Sequence, residues 1–449
     1  MVVIIEQTAS DRSVTSLQSF VHLLKGNIGP GCLSLPFAYS RLGVLNSIVI
    51  TLLLGLATSY NSILLIGLAN AAPPVDEKAD SDKHEIAMLP SYPQIGERAF
   101  GNRGKRLIKL SILVQQLSVC TVYFSFMSDN IVKSIPSDTS TPLGDPRLIM
   151  TIILPLVVLL TSLPNLKMLA PLSAFASALL LACFIMLAVC GVINGDASTT
   201  NDDDALTTAG YSLSEKVIAT TAILYSFEGI CLVLPVSASL SLSAKSREKS
   251  TYIIALTVVT LTFLTFSLGA LYAFGKVTDG SITAYLIERE GLFPNGGWLI
   301  AGANVTSCIS VLCTYPLQLY PCLELGDEGD GGVVDVYEPV GQNDEESRLV
   351  AAGGASCNEA NWRRRIKYIL LTYALAMIVP DVGLMISLAG SVAGTSAALI
   401  IPPVLELQLN GLESSSYRRI WLLGIVVLGV VLAGIGAVTA LIKIFQNFE

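Results

Sequence analysis

Apolar residues run along this chain in eleven blocks, each near the ~20 residues a helix needs to cross a bilayer. They fall at 16–40, 44–70, 106–133, 147–163, 167–193, 214–240, 251–275, 298–323, 364–380, 383–408 and 419–445. Short polar segments separate most of them. The fourth and fifth are divided only by Pro164-Asn165, and the ninth and tenth only by Pro380-Asp381. If either pair formed one bent element, the count would fall to ten or nine. The pattern predicts an all-α polytopic membrane protein of about eleven transmembrane helices.

Two blocks carry an interruption. In the first, Gly26-Asn27-Ile28-Gly29-Pro30-Gly31 breaks an apolar run that resumes at Cys32. Glycine is conformationally loose and proline lacks an N–H, so these six residues cannot hold a regular helix. Unpaired backbone groups are costly in lipid, so an unwound segment persists only where it lines a cavity or a ligand site. A proline kink without a ligand is the plainer reading of the same residues. In the sixth block, Tyr225-Ser226-Phe227-Glu228-Gly229-Ile230 precedes Pro235. Broken helices at matching places in two halves point to a repeat transporter with its site at the midplane. The implied organisation is a tail over 1–15, one five-helix unit over 16–193, a second over 214–408, and a last helix over 419–445.

Composition agrees. The chain is 52% hydrophobic and 14% charged, with a mean hydropathy of +0.64; soluble domains carry about 25% charged residues. The net charge of −8 argues against nucleic acid as a partner. Val2–Ile5 is too short for a cleavable signal and ends at Glu6, so the first helix is expected to direct insertion. With the N-terminus in the cytosol, 19 of the 27 basic residues fall on the inner side and 6 on the outer, the expected positive-inside bias. The nine cysteines show no metal-ligand spacing and read as small hydrophobes.

Two inner segments are long and polar. Residues 71–104 contain Pro73-Pro74 and a short surface helix over Gln94–Phe100. Residues 326–362 are acid-rich and expected to be unstructured. The second holds Tyr337–Val340 and Glu345–Val350, which resemble sorting-adaptor signals, although such short patterns commonly arise by chance.

Glu228 is the one acid deep in an apolar helix, and intramembrane acids are functional candidates by default. It is placed to hold a substrate ammonium or take up a proton, or else to staple the broken helix. The helix resuming after Gly31 offers its positive N-terminal end to an anionic group such as a carboxylate. His22, one turn before Gly26, is a second proton-coupling candidate, though a lone histidine is more often a satisfied interhelical residue. Lys25 reads as a structural cation. Hydroxyls of the third and eighth spans, among them Ser118, Thr121, Ser307, Ser310 and Thr314, read mainly as i−4 carbonyl partners. Ser387, Ser391 and Thr395 with Gly390 and Gly394 read as a small-residue packing face. No nucleotide-binding, hydrolase or metalloprotease motif is present, so no catalytic residue, metal or cofactor is expected.

Taken together, His22–Pro36, Gln116–Tyr123, Phe227–Pro235, Gly280–Thr283, Thr314–Tyr320 and Ile401–Glu406 resemble the amino acid/auxin permease family of the amino acid–polyamine–organocation superfamily. Within it, the proton-coupled and vacuolar amino acid transporters are the most similar branch. The resemblance implies a leucine-transporter-type fold, with helices one to five inverted relative to six to ten, plus one extra helix. It implies transport of small neutral amino acids, usually coupled to protons, and favours a vacuolar or lysosomal membrane over the cell surface. It places substrate at Gly26, Asn27, Ile28, Gly29, Pro30 and Gly31 and at Phe227, Glu228 and Gly229, with Tyr123 and the eighth helix, including Tyr315, lining the cavity. Pro30 departs from the threonine or small residue commoner there, and loops 134–146 and 276–297 lack the cysteines of an outer-loop disulfide. Two alternatives stay open: an amino-acid sensor signalling through 326–362, and a sodium-coupled carrier of the same fold.

Overall fold

The computed structural model describes residues 15–71, 90–135, 144–162, 166–194, 211–238, 240–293, 295–327, 346–379, 381–410 and 415–446. Among these residues the protein is helical almost throughout, and no strand occurs.

The first span is two helices, α1 (Ser16–Asn27) and α2 (Pro30–Leu42). Then come α3 (Val44–Asn70), α4 (Tyr92–Lys133), α5 (Pro146–Thr161) and α6 (Leu166–Asn194). The sixth span divides into α7 (Leu213–Ser226), a tight turn over Glu228–Leu232 and α8 (Val233–Ala238), followed by the one-turn α9 (Leu242–Lys245). After it lie α10 (Glu248–Phe274), the short outer α11 (Ile282–Glu288), α12 (Gly297–Asp327) and α13 (Glu346–Ile378). The tenth span runs α14 (Val382–Ala389), a π-helical stretch over Gly390–Ile400, and α15 (Ile401–Asn410); α16 (Ser416–Gln446) closes the chain. Eight of the described helical stretches are long and apolar enough to cross a membrane on their own. The first span is split, the fourth has only 16 residues, and the ninth is the end of α13. Those three complete the eleven blocks read from the sequence.

Helix starts follow local chemistry. Thr15 with Gln18 and Ser212 with Glu215 form reciprocal caps at α1 and α7, and at α4 the Ser91 N–H donates to Gln94 Oε1 at 2.7 Å. Asp381 accepts from the Leu384 N–H at 2.8 Å, so the ninth and tenth spans are separate helices rather than one bent element.

The structure departs from the expected pattern in three places. The expected surface helix at Gln94–Phe100 is present, but it is the first part of α4, bent at Gly101, where φ is +64°. Tyr92 and Ile95 are buried on its inner face, with Tyr92 reaching the tenth span, while Glu97, Arg98 and Phe100 stay exposed on the other. Helix α13 begins at Glu346, inside the segment expected to be unstructured; the alanine-rich stretch there favours helix over the acidic bias. Tyr337–Val340 and Glu345 lie outside the described residues. The tenth span is not a plain α-helix. Its wide turns at 390–400 present the Ala397 and Ala398 carbonyls to Tyr92 Oη (3.1 Å) and Asn61 Nδ2 (2.6 Å).

Small residues bring the helices together, as expected where lipid removes most of the hydrophobic drive between them. Gly390 lies directly against the Thr221 carbonyl, and Gly436 packs on Thr221 and Ser391. Thr221 and Ser387 hydroxyls are 2.6 Å apart. The 387–395 face thus packs onto α7 and α16, as its pattern predicts.

Two apolar clusters fill the bundle. The larger gathers Phe37, Phe124, Phe227, Phe263 and Tyr315. The smaller lies toward the face where the chain enters α1 and gathers Leu23, Tyr92, Ile230, Val233 and Tyr252.

Candidate functional site

The interruption in the first span is narrower than six residues. Gly26 and Asn27 finish α1, and the Ile28 N–H still reaches the Leu24 carbonyl at 2.8 Å. Only Ile28 and Gly29 are extended. Pro30 does not break the helix but starts it: at the first helical position its missing N–H is no loss and its fixed φ suits the turn. No side chain caps the α2 N-terminus, so its positive end is open to a ligand.

The second interruption meets the first. Ser226 Oγ donates to the Gly31 carbonyl at 3.0 Å, and Ser34 Oγ donates to the same oxygen at 2.7 Å. At Gly31 a methyl group would sit 3.2 Å from Ser226 Cα and from the Tyr225 ring. At Gly229 it would strike the Asn27 carboxamide, which itself donates to the Leu23 carbonyl at 2.8 Å. At Gly26 it would strike Leu232. These glycines are therefore the surfaces on which the two breaks touch.

Glu228 opens the turn after Phe227, and its Oε1 lies 3.5 Å from where a Gly29 side chain would begin. Its Oε2 is buried and has no hydrogen bond of good geometry. The buried Tyr123 and Tyr225 hydroxyls and Gln115 Oε1 lack such bonds as well. Both tyrosines are within electrostatic reach of the Glu228 carboxylate. Gln115 Nε2 contacts the Glu228 carbonyl at 3.5 Å. Native proteins rarely leave several polar atoms orphaned together, so each such group calls for an explanation.

The remaining residues named from sequence divide. Phe227 is buried, its ring 5.1 Å from Phe263. Tyr315 is buried 6.5 Å from the Tyr123 ring, but its hydroxyl is engaged by Thr372 at 2.7 Å, so it backs the cluster rather than facing the carboxylate. His22 is exposed on α1 and is not brought to Glu228. Tyr225, Ser226 and Gln115 were not singled out by sequence as site residues. Their signal was position: two of them belong to the same interrupted motif as Glu228. Among the described residues no group of three His, Cys, Asp or Glu side chains could hold a metal ion.

A helical bundle of membrane-spanning length, with two opposed breaks enclosing an unpaired carboxylate, defines a carrier rather than an enzyme. Residues 12–443 match the family described as transmembrane amino acid transporter protein, and the chain belongs to that family. Amino acid transporter AVT3B of Arabidopsis thaliana is 24% identical over 444 residues, covering 96% of this chain and 94% of that protein. AVT3C of the same plant is 24% identical over 453 residues, with 96% and 92% covered. Amino acid transporter ANT1, also from Arabidopsis thaliana, is 24% identical over 444 residues, with 98% and 95% covered.

Proposed function

We propose that this protein is a secondary active transporter that couples protons to the movement of small neutral amino acids by alternating access around the two breaks. The observation that carries this reading is the unpartnered Glu228 carboxylate beside Gly29, where the uncapped start of α2 faces the end of α1. A zwitterion matches that arrangement. Its carboxylate meets the positive end of α2, and its ammonium meets the released carbonyls of α1 and the Glu228 side chain. Protonation of Glu228 removes a buried, uncompensated charge at the junction and so shifts the balance between states open to opposite faces. A ligand or proton moves that balance only through different affinity for the two states.

In the eighth span Thr314 Oγ1 donates to the Ser310 carbonyl at 2.8 Å, Ser310 Oγ to Ala176 at 2.7 Å, and Ser307 Oγ to Asn304 at 2.8 Å. Their oxygens keep lone pairs for a cation, so the preference for protons over sodium rests on Glu228 and is decided by the choline replacement below. The five-plus-five inverted relation, a cytosolic N-terminus and a vacuolar or lysosomal membrane belong to the same proposal.

The test is uptake of a panel of labelled amino acids into proteoliposomes holding the purified protein, with and without a pH gradient. Wild type is expected to show gradient-stimulated uptake of neutral amino acids that survives replacement of sodium by choline, and Glu228→Gln to lose the stimulation. Uptake indifferent to pH in both proteins would overturn the proton role. Binding without flux would favour the sensor.

A further inference from the structure

We propose that the cavity where α3 and α15 end and α10 and α16 begin is a binding site for one anionic phospholipid. Lys249 and Arg418 hold its phosphate, and an acyl chain lies in the slot between α3 and α16. The site stands apart from the junction and does not depend on what is transported.

The cavity has a volume of about 440 Å³. At ~30 Å³ per water, that is room for about fifteen waters, enough for a glycerophosphate headgroup. Ile63, Leu64 and Gly67 give it an apolar wall, and Lys249, Glu406 and Arg418 a charged one. It lies at the level where the helices leave the membrane. α3 ends at Asn70 and α15 at Asn410, while α10 begins at Glu248 and α16 at Ser416. Tyr417 and Trp421, on the first turns of α16, are exposed aromatics of the kind that settle among headgroups.

Two cations face one carboxylate, so the wall is positive by one charge. The carboxylate is already matched. Glu406 is buried; Arg418 Nη2 lies 2.5 Å from its Oε1, and Asn410 Nδ2 donates to its Oε2 at 3.0 Å. That pair anchors one corner of the guanidinium. A guanidinium carries five N–H donors, so others remain for an incoming oxyanion. Lys249 is exposed and has no ion pair among the described residues. The surplus charge attracts an anionic headgroup and repels the quaternary ammonium of a choline lipid. Under the proposed orientation the cavity faces the cytosolic leaflet, where anionic lipids concentrate.

The slot supplies the rest of the fit. α3 and α16 both pack on the tenth span. Between them Tyr60 and Trp421 meet edge to face, with ring centres 6.4 Å apart. On α3 the stripe of Tyr60 and Ile63 continues into the membrane through the exposed Leu56 and Leu53. On α16 the stripe of Trp421 continues through Gly424, where a side chain would meet open space, to the exposed Leu428. A soluble anion would use only the two cations. A phospholipid uses the cations, the slot and the position at the membrane boundary together.

Native mass spectrometry of the purified full-length protein, titrated with dioleoylphosphatidylserine or dioleoylphosphatidylcholine, tests the site. Wild type is expected to hold one phosphatidylserine in preference to phosphatidylcholine, and to melt higher with it bound. Lys249→Gln should weaken that equivalent about fivefold and Lys249→Glu about thirtyfold, as expected for one and two units of charge near a membrane surface. Gly67→Leu should abolish it by filling the cavity, without lowering the lipid-free melt, because a side chain there begins with no atom within 4 Å. Lys367→Gln removes a cation of α13 that does not line the cavity and should leave binding unchanged. Equal affinity for the two lipids, or equal weakening by Lys367→Gln and Lys249→Gln, means diffuse attraction and overturns the site. Unchanged phosphatidylserine binding in both Lys249→Glu and Gly67→Leu overturns it as well. Displacement of the lipid by an equal concentration of inorganic phosphate would make a soluble anion the occupant, and the lipid assignment would fail.

Discussion

Gly229 is the residue at which one methyl group does most to the junction, because it would occupy the space of the Asn27 carboxamide. Asn27 is buried and tied to the Leu23 carbonyl, so it cannot swing aside without losing that bond. Overpacking of this kind costs about 1–3 kcal/mol. Gly229→Ala is expected to lower the melting temperature and to cut uptake at least about tenfold, the effect of roughly 1.4 kcal/mol. Gly29→Ala is the contrast. A methyl there meets only Glu228 Oε1, at the ordinary distance of 3.5 Å, and the backbone is extended at φ −126°. Gly29→Ala should melt within about 0.5 kcal/mol of wild type, so any loss of uptake reports on the carboxylate rather than the fold. If both variants melt and transport alike, contact between the breaks does not matter. At this scale the sequence exposed Glu228, Gly229 and Asn27 because each breaks an apolar pattern. Spacing along α1 does not say which face His22 turns to the bundle; in the structure it lies on an exposed one.

Among the elements, the two breaks are coupled by a single shared acceptor. The Gly31 carbonyl takes bonds from Ser34 in its own helix and from Ser226 across the junction. Ser226→Ala removes the crossing bond but leaves the acceptor satisfied by Ser34, so the stability loss should be at the low end of about 0.5–1.5 kcal/mol. The same reasoning gives Asn61→Ala a larger effect. The Ala398 carbonyl it serves lies in the π-helical stretch, and stranding a buried acceptor costs about 1–3 kcal/mol. Thermal melts of the two variants side by side check the order; a Ser226→Ala loss exceeding that of Asn61→Ala would contradict it. Helix positions were readable from sequence because a bilayer demands a fixed apolar length and leaves few alternatives. The π-helical turns at 390–400 were not. Glycine, serine, alanine and threonine at four-residue spacing fit an α-helix equally well, and the wider turns are held by Tyr92 and Asn61 from helices far away in sequence. Pro30 carries the same lesson in reverse: read as a breaker, it serves as a starter because of the extended Gly29 before it.

For the whole molecule, the asymmetry between its faces decides what can be tested about direction. A cavity lined by Arg41 opens on the face where α2 and α14 meet, while the smaller apolar cluster of Leu23, Tyr92, Ile230 and Val233 fills the bundle toward the other. The cavity of about 440 Å³ lined by Tyr60, Lys249, Glu406 and Arg418 opens on that other face as well, so openness alone does not distinguish the Arg41 side. Under the proposed orientation that side is lumenal or extracellular, because the basic excess lies on the opposite face and positive loops stay in the cytosol. With all eleven blocks crossing, as proposed, the number is odd and the two ends lie on opposite sides. Protease treatment of intact organelles carrying a doubly tagged protein should remove an N-terminal tag and spare a C-terminal one until detergent is added. Removal of both would mean an even number of crossings and would place one of the short spans, α5 or the end of α13, outside the bilayer. Protection of the N-terminal tag with loss of the C-terminal one would invert the molecule. The Arg41 cavity would then face the cytosol.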